Sequence, residues 1–170
     1  GDRAVKGLDT NGKIENFIRF WHEVPIGKTS IVKNHEVKWF PLAKGGGFRR
    51  WNGNAEYLIN YENNGEALRQ NKANLRNKEK YFSDGSTWSV ISTKGFAVRR
   101  LPKKALFDQA GSAIHIFKDD EFSIDDILAA LNSKFVTEIS QQLSPTISFT
   151  TGDIRKYPIW KFDDTSIISR

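Results

Sequence analysis

The sequence predicts an α+β fold in which a curved, mostly antiparallel sheet packs with one long helix near the C-terminus. Short apolar stretches at residues 36–42, 55–61, 86–92 and 95–102 have the length and alternation of strands. The segment 123–143 carries apolar residues three or four positions apart, which is typical of an amphipathic helix. The 170 residues are enough to bury a core, and we expect a single domain.

The first half of the chain is predicted to be mainly extended. Residues 14–24 are compatible with either a short helix or a strand, and Pro25 ends that element. The strand at 36–42 leads into a glycine-rich run at 44–54, and the next strand follows at 55–61. The polar, asparagine-rich stretch after it is expected to begin with a helical turn and to continue as an exposed basic loop.

The second half begins with two strands, 86–92 and 95–102, which the turn Thr93-Lys94-Gly95 joins into a hairpin. Residues 105–117 are predicted to be extended, with a kink at Gly111.

The C-terminal third contains the clearest element, a continuous helix predicted over 123–143. Ser123 and Asp126 match the capping-box pattern at its start, and Pro145 follows shortly after its end. Its apolar stripe is expected to belong to the core. Residues 145–160 are expected to form a strand, a Thr-Gly-Asp turn and a short apolar segment.

The composition excludes several classes of protein. The chain has no cysteine, so it has neither disulfide bonds nor thiolate metal ligands. No run of about 18 apolar residues is present, so we expect no membrane span. The absence of cysteine fits the cytoplasmic location that we expect for this chain. The first residues, "GDRAVKGLDT", include neither an initiator methionine nor an apolar signal segment. We therefore expect this chain to be a processed or excised part of a longer protein.

The net charge of +6 is concentrated in the middle of the chain. From Lys38 to Lys104 there are 14 lysines and arginines against 5 aspartates and glutamates, whereas the remainder has 12 against 15. A basic middle part predicts a surface that faces a polyanion. The alternative is a lysine-rich face that only contacts solvent.

The motifs of common enzyme sites are missing from the sequence. The run "KGGGFRRWNGN" at 44–54 fits neither the P-loop nor the Rossmann glycine spacing, and no serine stands in a nucleophile elbow. Glu36 and Lys38 match the end of the D…E-x-K pattern of nucleases, which leaves a small metal-dependent DNA nuclease as an alternative. The three histidines are too far apart in sequence to form a short ligand pair: His22, His35 and His115.

The basic middle part combines the residue types with which proteins bind DNA. Arginines hold phosphates or guanine edges, lysines attract phosphates, and asparagine amides pair with adenine edges. The main candidates lie in the glycine-rich run: Lys44, Gly46, Arg49, Arg50, Asn52 and Asn54. A second group follows later in the chain: Arg76, Asn77, Lys78, Trp88 and Arg99. Gly46 would let a phosphate approach the backbone closely, and Trp51 would either contact DNA or be buried below the loop.

Several blocks occur in a familiar order: "KWFPLAKGGGFRRWNGNAEYLINYENNG", "GSTWSVIS", "FAVRRLPKKALFDQAGSAIHIF" and "LSPTISFTTGDIRKYPI". They resemble the C-terminal specificity region of large adenine-specific DNA methyltransferases, above all those of BREX phage-exclusion systems and related type II restriction-modification enzymes. The resemblance extends over about residues 5–160. One stretch departs from it, because "TNGKIENF" stands where the family often has Thr-Gly-Asp-Asn followed by Arg-Phe.

The resemblance implies that the chain is a target-recognition domain that binds double-stranded DNA and transfers no methyl group itself. A separate N-terminal methyltransferase domain of the same protein would flip out an adenine and methylate it at N6. S-adenosylmethionine would bind there, so no cofactor is expected in this chain. Residues 25–122 would form the basic DNA-facing part and residues 123–160 a helix-plus-strand packing unit. Other subunits of the defence system are further expected partners, and a protein-docking module remains an alternative role.

Overall fold

The computed structural model describes residues 3–31, 37–117 and 119–161, which form an α+β fold with two four-stranded sheets. Within these residues the strands are β1 (Ala4–Val5), β2 (Ile18–Phe20), β3 (Trp39–Ala43), β4 (Tyr57–Asn60), β5 (Ser86–Trp88), β6 (Val98–Arg100), β7 (Leu106–Phe107) and β8 (Ala113–Ile114). The helices are α1 (Ile14–Phe17), α2 (Glu62–Gln70), α3 (Ile124–Leu131), α4 (Lys134–Leu143) and α5 (Thr151–Ile154). The α+β class is confirmed, but two sheets stand in place of one curved sheet.

The two sheets differ in the direction of their strands. The first sheet has the order β1-β8-β5-β6 and is antiparallel throughout. The second sheet has the order β2-β4-β3-β7 and is mixed, because β3 and β7 run parallel. The predicted hairpin of 86–92 with 95–102 is confirmed by the antiparallel pair β5 and β6. The stretch 105–117 divides at Gly111 into β7 and β8, which belong to different sheets.

Residues 14–24 form both of the structures that the sequence left open. The helix α1 is followed directly by β2 and then by a 3₁₀ turn over Trp21–Glu23. The backbone N–H of Trp21 donates to the carbonyl of Glu56 (2.9 Å), which fixes this turn beside the start of β4.

The continuous helix predicted over 123–143 is not confirmed, because the segment forms two helices, α3 and α4, that are separated at Asn132 and Ser133. The amide of Asn132 accepts from Val98 N–H (3.1 Å) and donates to Val98 C=O (2.9 Å), so it pairs with β6 as a neighbouring strand would. The Ser133 hydroxyl accepts from Val136 N–H (3.1 Å) and caps α4. The capping box of Ser123 and Asp126 at the start of α3 is confirmed.

The strand predicted after Pro145 is also not found in the described structure. Ser148 forms only an isolated bridge with Ile91, and the Thr-Gly-Asp stretch is the first turn of α5. A capping box explains this turn, since the Asp153 carboxylate accepts from both Thr150 N–H (3.0 Å) and the Thr150 hydroxyl (2.7 Å).

The structure has two apolar cores, one mainly on each sheet, although Val5 and Ala113 of the first sheet belong to the core of the second. The second sheet packs with residues such as Leu42, Ile59 and Phe107 around Leu68 of α2. On the first sheet, Trp88 lies in a core with residues of α3 and α4 such as Ile127 and Val136. Among the described residues, no helix has both the length and the apolar character that crossing a membrane requires.

His115 makes the stability of this fold depend on pH. Its ring is buried after β8, with Nδ1 3.1 Å from the Ser83 hydroxyl and 3.1 Å from the Asp84 carbonyl oxygen. Burial lowers the pKa of His115 below its ordinary value of 6.5, because the charged ring would lose its hydration. A group whose pKa is lower in the folded state stabilises the fold fully above its unfolded pKa. This stabilisation is lost as the pH falls from the unfolded pKa through the folded pKa.

We therefore expect the free energy of unfolding, measured by urea titration, to decrease between about pH 7 and about pH 5. The variant His115→Asn should show a smaller decrease over the same interval, whatever its absolute stability. An unchanged pH dependence in this variant would contradict the assignment to His115.

Candidate nucleic-acid interface

The glycine-rich run 44–54, hereafter the glycine loop, connects β3 to β4 in a conformation that needs its glycines. Gly45 and Gly46 have φ values of 79° and 101°, in the left-handed region that side chains disfavour. A Cβ atom on Gly45 would also lie 2.6 Å from the carbonyl oxygen of Ala110. The loop backbone therefore lies directly against the turn between β7 and β8.

Hydrogen bonds within the glycine loop and to β6 hold it in place. Asn54 Nδ2 donates to the Gly47 carbonyl (2.7 Å), and Asn52 Oδ1 accepts from Gly53 N–H (2.8 Å). The backbone of Trp51 donates to the Val98 carbonyl (3.0 Å) and accepts from Arg100 N–H (2.9 Å). Asn52 and Asn54 thus keep one amide atom each, Nδ2 and Oδ1, without a hydrogen bond among the described residues.

Arg49 and Arg50 are exposed on this ordered loop. Arg49 donates to the Phe48 carbonyl (3.2 Å), and Arg50 donates to the Thr137 hydroxyl of α4 (3.2 Å). The Arg50 guanidinium also lies 5.5 Å from the centre of the Phe48 ring. Neither arginine forms an ion pair with a described carboxylate, so both charges are available to an anionic partner.

The side chain of Trp51 points outward, with 48% of its surface exposed. Lys44, at the start of the loop, is half-buried, and its Nζ atom lies 5.7 Å from the centre of the Tyr57 ring. The structure thus brings the whole main group of predicted DNA contacts onto one loop.

Trp88 and Arg99 lie below this surface. Trp88 has no exposed surface, and its Nε1 donates to the Phe149 carbonyl (2.8 Å). Arg99 is 1% exposed and donates to the Gly45 carbonyl (2.9 Å) and to the Ser89 hydroxyl (3.3 Å). Burial lowers the pKa of Arg99 to about 10, although the charge of Glu56 opposes this shift. Arg99 thus supports the glycine loop, whereas Trp88 belongs to the core of the first sheet. Neither residue presents a surface for a contact with DNA.

The turn 76–78 carries the rest of the second group. Lys78 is exposed, while Arg76 and Asn77 are half-buried. Asn77 has a φ of 52°, and its Nδ2 donates to the carbonyl of Lys6 (2.8 Å). Lys6 also lines a cleft together with Gly46. It therefore lies between the turn 76–78 and the glycine loop.

This cleft, hereafter the loop cleft, has a volume of about 510 Å³ and is lined by residues that include Lys6, Gly46, Val90, Gln109, Ser112 and Thr151. Gly46 belongs to the block "KGGGFRRWNGN" and Thr151 to the block "TTGDI", so two distant sequence blocks meet here. Sequence reasoning missed Lys6, Gln109 and Thr151 as site residues. They are common residue types at unrelated positions, and only the packing of the glycine loop against the β7–β8 turn places them together.

The nuclease alternative lacks support in the described structure. Glu36 lies outside the described residues, and Lys38 pairs with Glu62 at an Nζ to Oε2 distance of 3.3 Å. No group of three or more histidine, aspartate or glutamate side chains in the described part of the chain is placed to hold a metal ion.

Comparison with curated proteins finds two that are similar over almost the whole chain. The chain is 55% identical over 161 residues to the adenine-specific methyltransferase BrxX of Escherichia coli O9:H4 (strain HS). The aligned region covers 95% of the chain but 13% of that protein. It is 34% identical over 178 residues to the adenine-specific methyltransferase PglX of Lacticaseibacillus casei (strain Zhang). This aligned region covers 97% of the chain and 15% of that protein. The chain thus spans a small part of each relative. No family model matches it.

Proposed function

We propose that this chain is a target-recognition domain that binds double-stranded DNA and positions an adenine for N6-methylation by a separate catalytic domain. The proposal rests on the 55% identity, over 95% of the chain, to a segment of a protein named as an adenine-specific methyltransferase. The chain spans 13% of that relative, and in this proposal the catalytic residues and the S-adenosylmethionine site belong to other parts of the parent protein. The names of the relatives support a role in phage defence or restriction-modification of the BREX type.

The glycine loop supplies the main DNA-facing side chains in this proposal. Arg49 and Arg50 hold phosphates or guanine edges, because they are exposed and have no carboxylate partner among the described residues. The unbonded amide atoms of Asn52 and Asn54 remain available to base edges. Lys44 adds a positive charge at the start of the loop.

The turn 76–78 forms a second contact region across the loop cleft, with Lys78 as its exposed charge. Arg99 acts as a support of the loop, and Trp88 as a part of the core of the first sheet. Residues 25–122 thus supply most of the DNA-facing side chains. The unit 123–160 also takes part, because Thr137 bonds Arg50 and Thr151 lines the cleft.

DNA binding should depend on salt, and the glycine-loop arginines should set part of that dependence. We expect the affinity for duplex DNA, measured by fluorescence anisotropy at several salt concentrations, to fall as salt rises. Arg49→Ala and Arg50→Ala should each reduce the slope of log affinity against log salt by about 1.

Arg69→Ala is the matched control, because Arg69 is an exposed arginine on α2 whose guanidinium binds the backbone carbonyls of Asn63 and Asn64. It removes the same charge at the opposite end of β4 from the glycine loop. Equal slopes for all three variants, or no binding by the unaltered chain at low salt, would contradict the proposal. Magnesium-dependent plasmid cleavage that is lost in Glu36→Gln would instead indicate the nuclease.

A protein-docking role is a second candidate, and exposed apolar side chains favour it. They lie on the outer strand β2 and in the segment that follows it in sequence, namely Phe20, Trp21, Ile26 and Ile31. Exposed apolar groups of this kind are typical of protein contacts. The salt titration separates the two roles, because a pure docking module would bind no duplex.

A further inference from the structure

The loop cleft combines apolar and polar surface in the way that small-ligand sites do. Its volume of about 510 Å³ falls within the range of about 300–1,000 Å³ of pockets that enclose small organic ligands. Val90, Ile91 and Ala110 form its apolar part, and Ile91 is unusually exposed for its size. The cleft can therefore take a planar apolar group against Ile91.

The polar side chains of the loop cleft retain hydrogen-bonding capacity. Among the described residues, the Lys6 ammonium, the Gln109 amide and the Thr151 hydroxyl form no hydrogen bond or ion pair. The Ser89 hydroxyl accepts from Arg99 Nη1 (3.3 Å), so its own proton remains available as a donor. Four lining residues thus keep donors that no described residue accepts from.

The charge around the loop cleft favours an anion. None of its described lining residues is an aspartate or glutamate, while Lys6 lines it and Arg99 lies behind Ser89. Arg99 is buried without an ion pair to any described carboxylate, and its Nε atom has no partner. Asp108 and Asp153 lie close to lining residues in sequence, and each carboxylate already accepts hydrogen bonds from the backbone. Asp108 accepts from the N–H groups of Ala110 and Gly111 (2.8 Å each), and Asp153 caps α5.

We propose that the loop cleft binds one unstacked nucleotide, with its base against the apolar wall and its phosphate toward Lys6 and Ser89. A nucleotide is the ligand that unites an anionic group with a planar, hydrogen-bonding ring. In the context of the proposed function, on which this inference rests, it is a nucleotide displaced from the duplex that the glycine loop holds. Gly46 belongs to both the loop and the cleft, so a displaced nucleotide would have a short path into it.

The test compares three duplexes of the same sequence. The first is perfectly paired, the second carries one extrahelical adenosine nucleotide, and the third carries an abasic residue at the same bulge. The third duplex has the same flexible backbone without a base. We expect the chain to bind the second duplex about tenfold more tightly than the other two, a difference that contacts to one base can supply.

The variant Lys6→Gln with Thr151→Val removes one charge and one hydroxyl from the loop cleft and should bring this ratio close to one. Thr150 is left intact, because it caps α5. The matched control is Lys28→Gln with Thr93→Val, which makes the same chemical changes at exposed positions that do not line the cleft. A ratio of one for the unaltered chain, or a ratio that survives in the cleft variant, would overturn the inference.

A second measurement separates this inference from the proposed function. Deoxyadenosine monophosphate is added to the isotope-labelled chain, and the backbone amide signals of Gly46, Gln109 and Ser112 are followed by NMR. Shifts at these signals, reduced in the cleft variant, support a nucleotide site even where the paired duplex does not bind. Shifts without a preference for the extrahelical base would still overturn the inference, because the cleft would then bind free nucleotide but no displaced one. A preference without shifts would show that the nucleotide must belong to a DNA strand.

Discussion

Replacing Trp88 with alanine is expected to lower the free energy of unfolding by about 3–5 kcal/mol, the usual cost of truncating a buried tryptophan. The side chain has no exposed surface and lies among Phe96, Phe149 and Ile127. Its removal would leave a cavity between the first sheet and its helices. The Phe149 carbonyl would also lose the donor at 2.8 Å. Urea denaturation followed by circular dichroism measures the change.

The control is Trp51→Ala, which removes the same side chain from the surface of the glycine loop. Trp51 is 48% exposed and contacts β6 mainly through its backbone. We expect this variant to lose less than about 1 kcal/mol of stability. Similar losses in the two variants would show that the two tryptophans are not placed as described.

The second large effect is expected from Gly45→Ala, which should destabilise the fold and weaken DNA binding together. The left-handed conformation at φ 79° alone costs a residue with a Cβ atom about 1–3 kcal/mol. The added Cβ atom would also approach the Ala110 carbonyl oxygen to 2.6 Å, so the backbone must move. This movement would displace Arg49 and Arg50 from their positions.

The matched control lies two residues further along the same run. A Cβ atom on Gly47 would have no heavy atom within 4 Å, and Gly47 has no positive φ. We expect Gly47→Ala to change stability by less than about 1 kcal/mol. If Gly45→Ala bound duplex DNA with unaltered affinity and salt slope, the conformation of the loop would have no part in binding.

Local sequence patterns predicted most of the individual elements. The alternation in 55–61 and 86–102 predicted β4 and the β5–β6 hairpin, because a strand that is covered on one face repeats every second residue. The capping box at Ser123 predicted the start of α3, because it depends on only four consecutive residues.

The division into two sheets could not be predicted from such patterns. β7 and β8 are separated by a short turn and look like one extended stretch in sequence. In the structure β7 pairs with β3, whereas β8 pairs with β1 and β5. The break between α3 and α4 has a similar cause. The apolar spacing continues past Asn132, but the helix ends there, where the Asn132 amide pairs with Val98 in a contact that only the tertiary structure reveals.

The candidate DNA-binding surface could also be predicted only in part from the sequence. The glycine loop was predicted as a unit, since its charges and amides are neighbours in sequence. Trp88 lies in β5 and Arg99 in β6, and neither residue type shows by itself whether its side of the strand is exposed. The Arg99 side of β6 is covered by the glycine loop, whose Gly45 carbonyl accepts from Arg99. Whether an arginine in a strand is exposed depends on the element that packs over it.

The pairing of β1 with β8 has a consequence for how the chain folds during its synthesis. Ala4 pairs with Ile114, so β1 must remain without its partner until more than half of the chain has been made. At translation rates of about 5–20 residues per second, that interval is roughly 5–20 s. The Ala4 carbonyl also accepts from the guanidinium of Arg155, a residue that is synthesised later still. We therefore expect the first sheet to complete itself only after translation of the C-terminal helices, in one late and cooperative step.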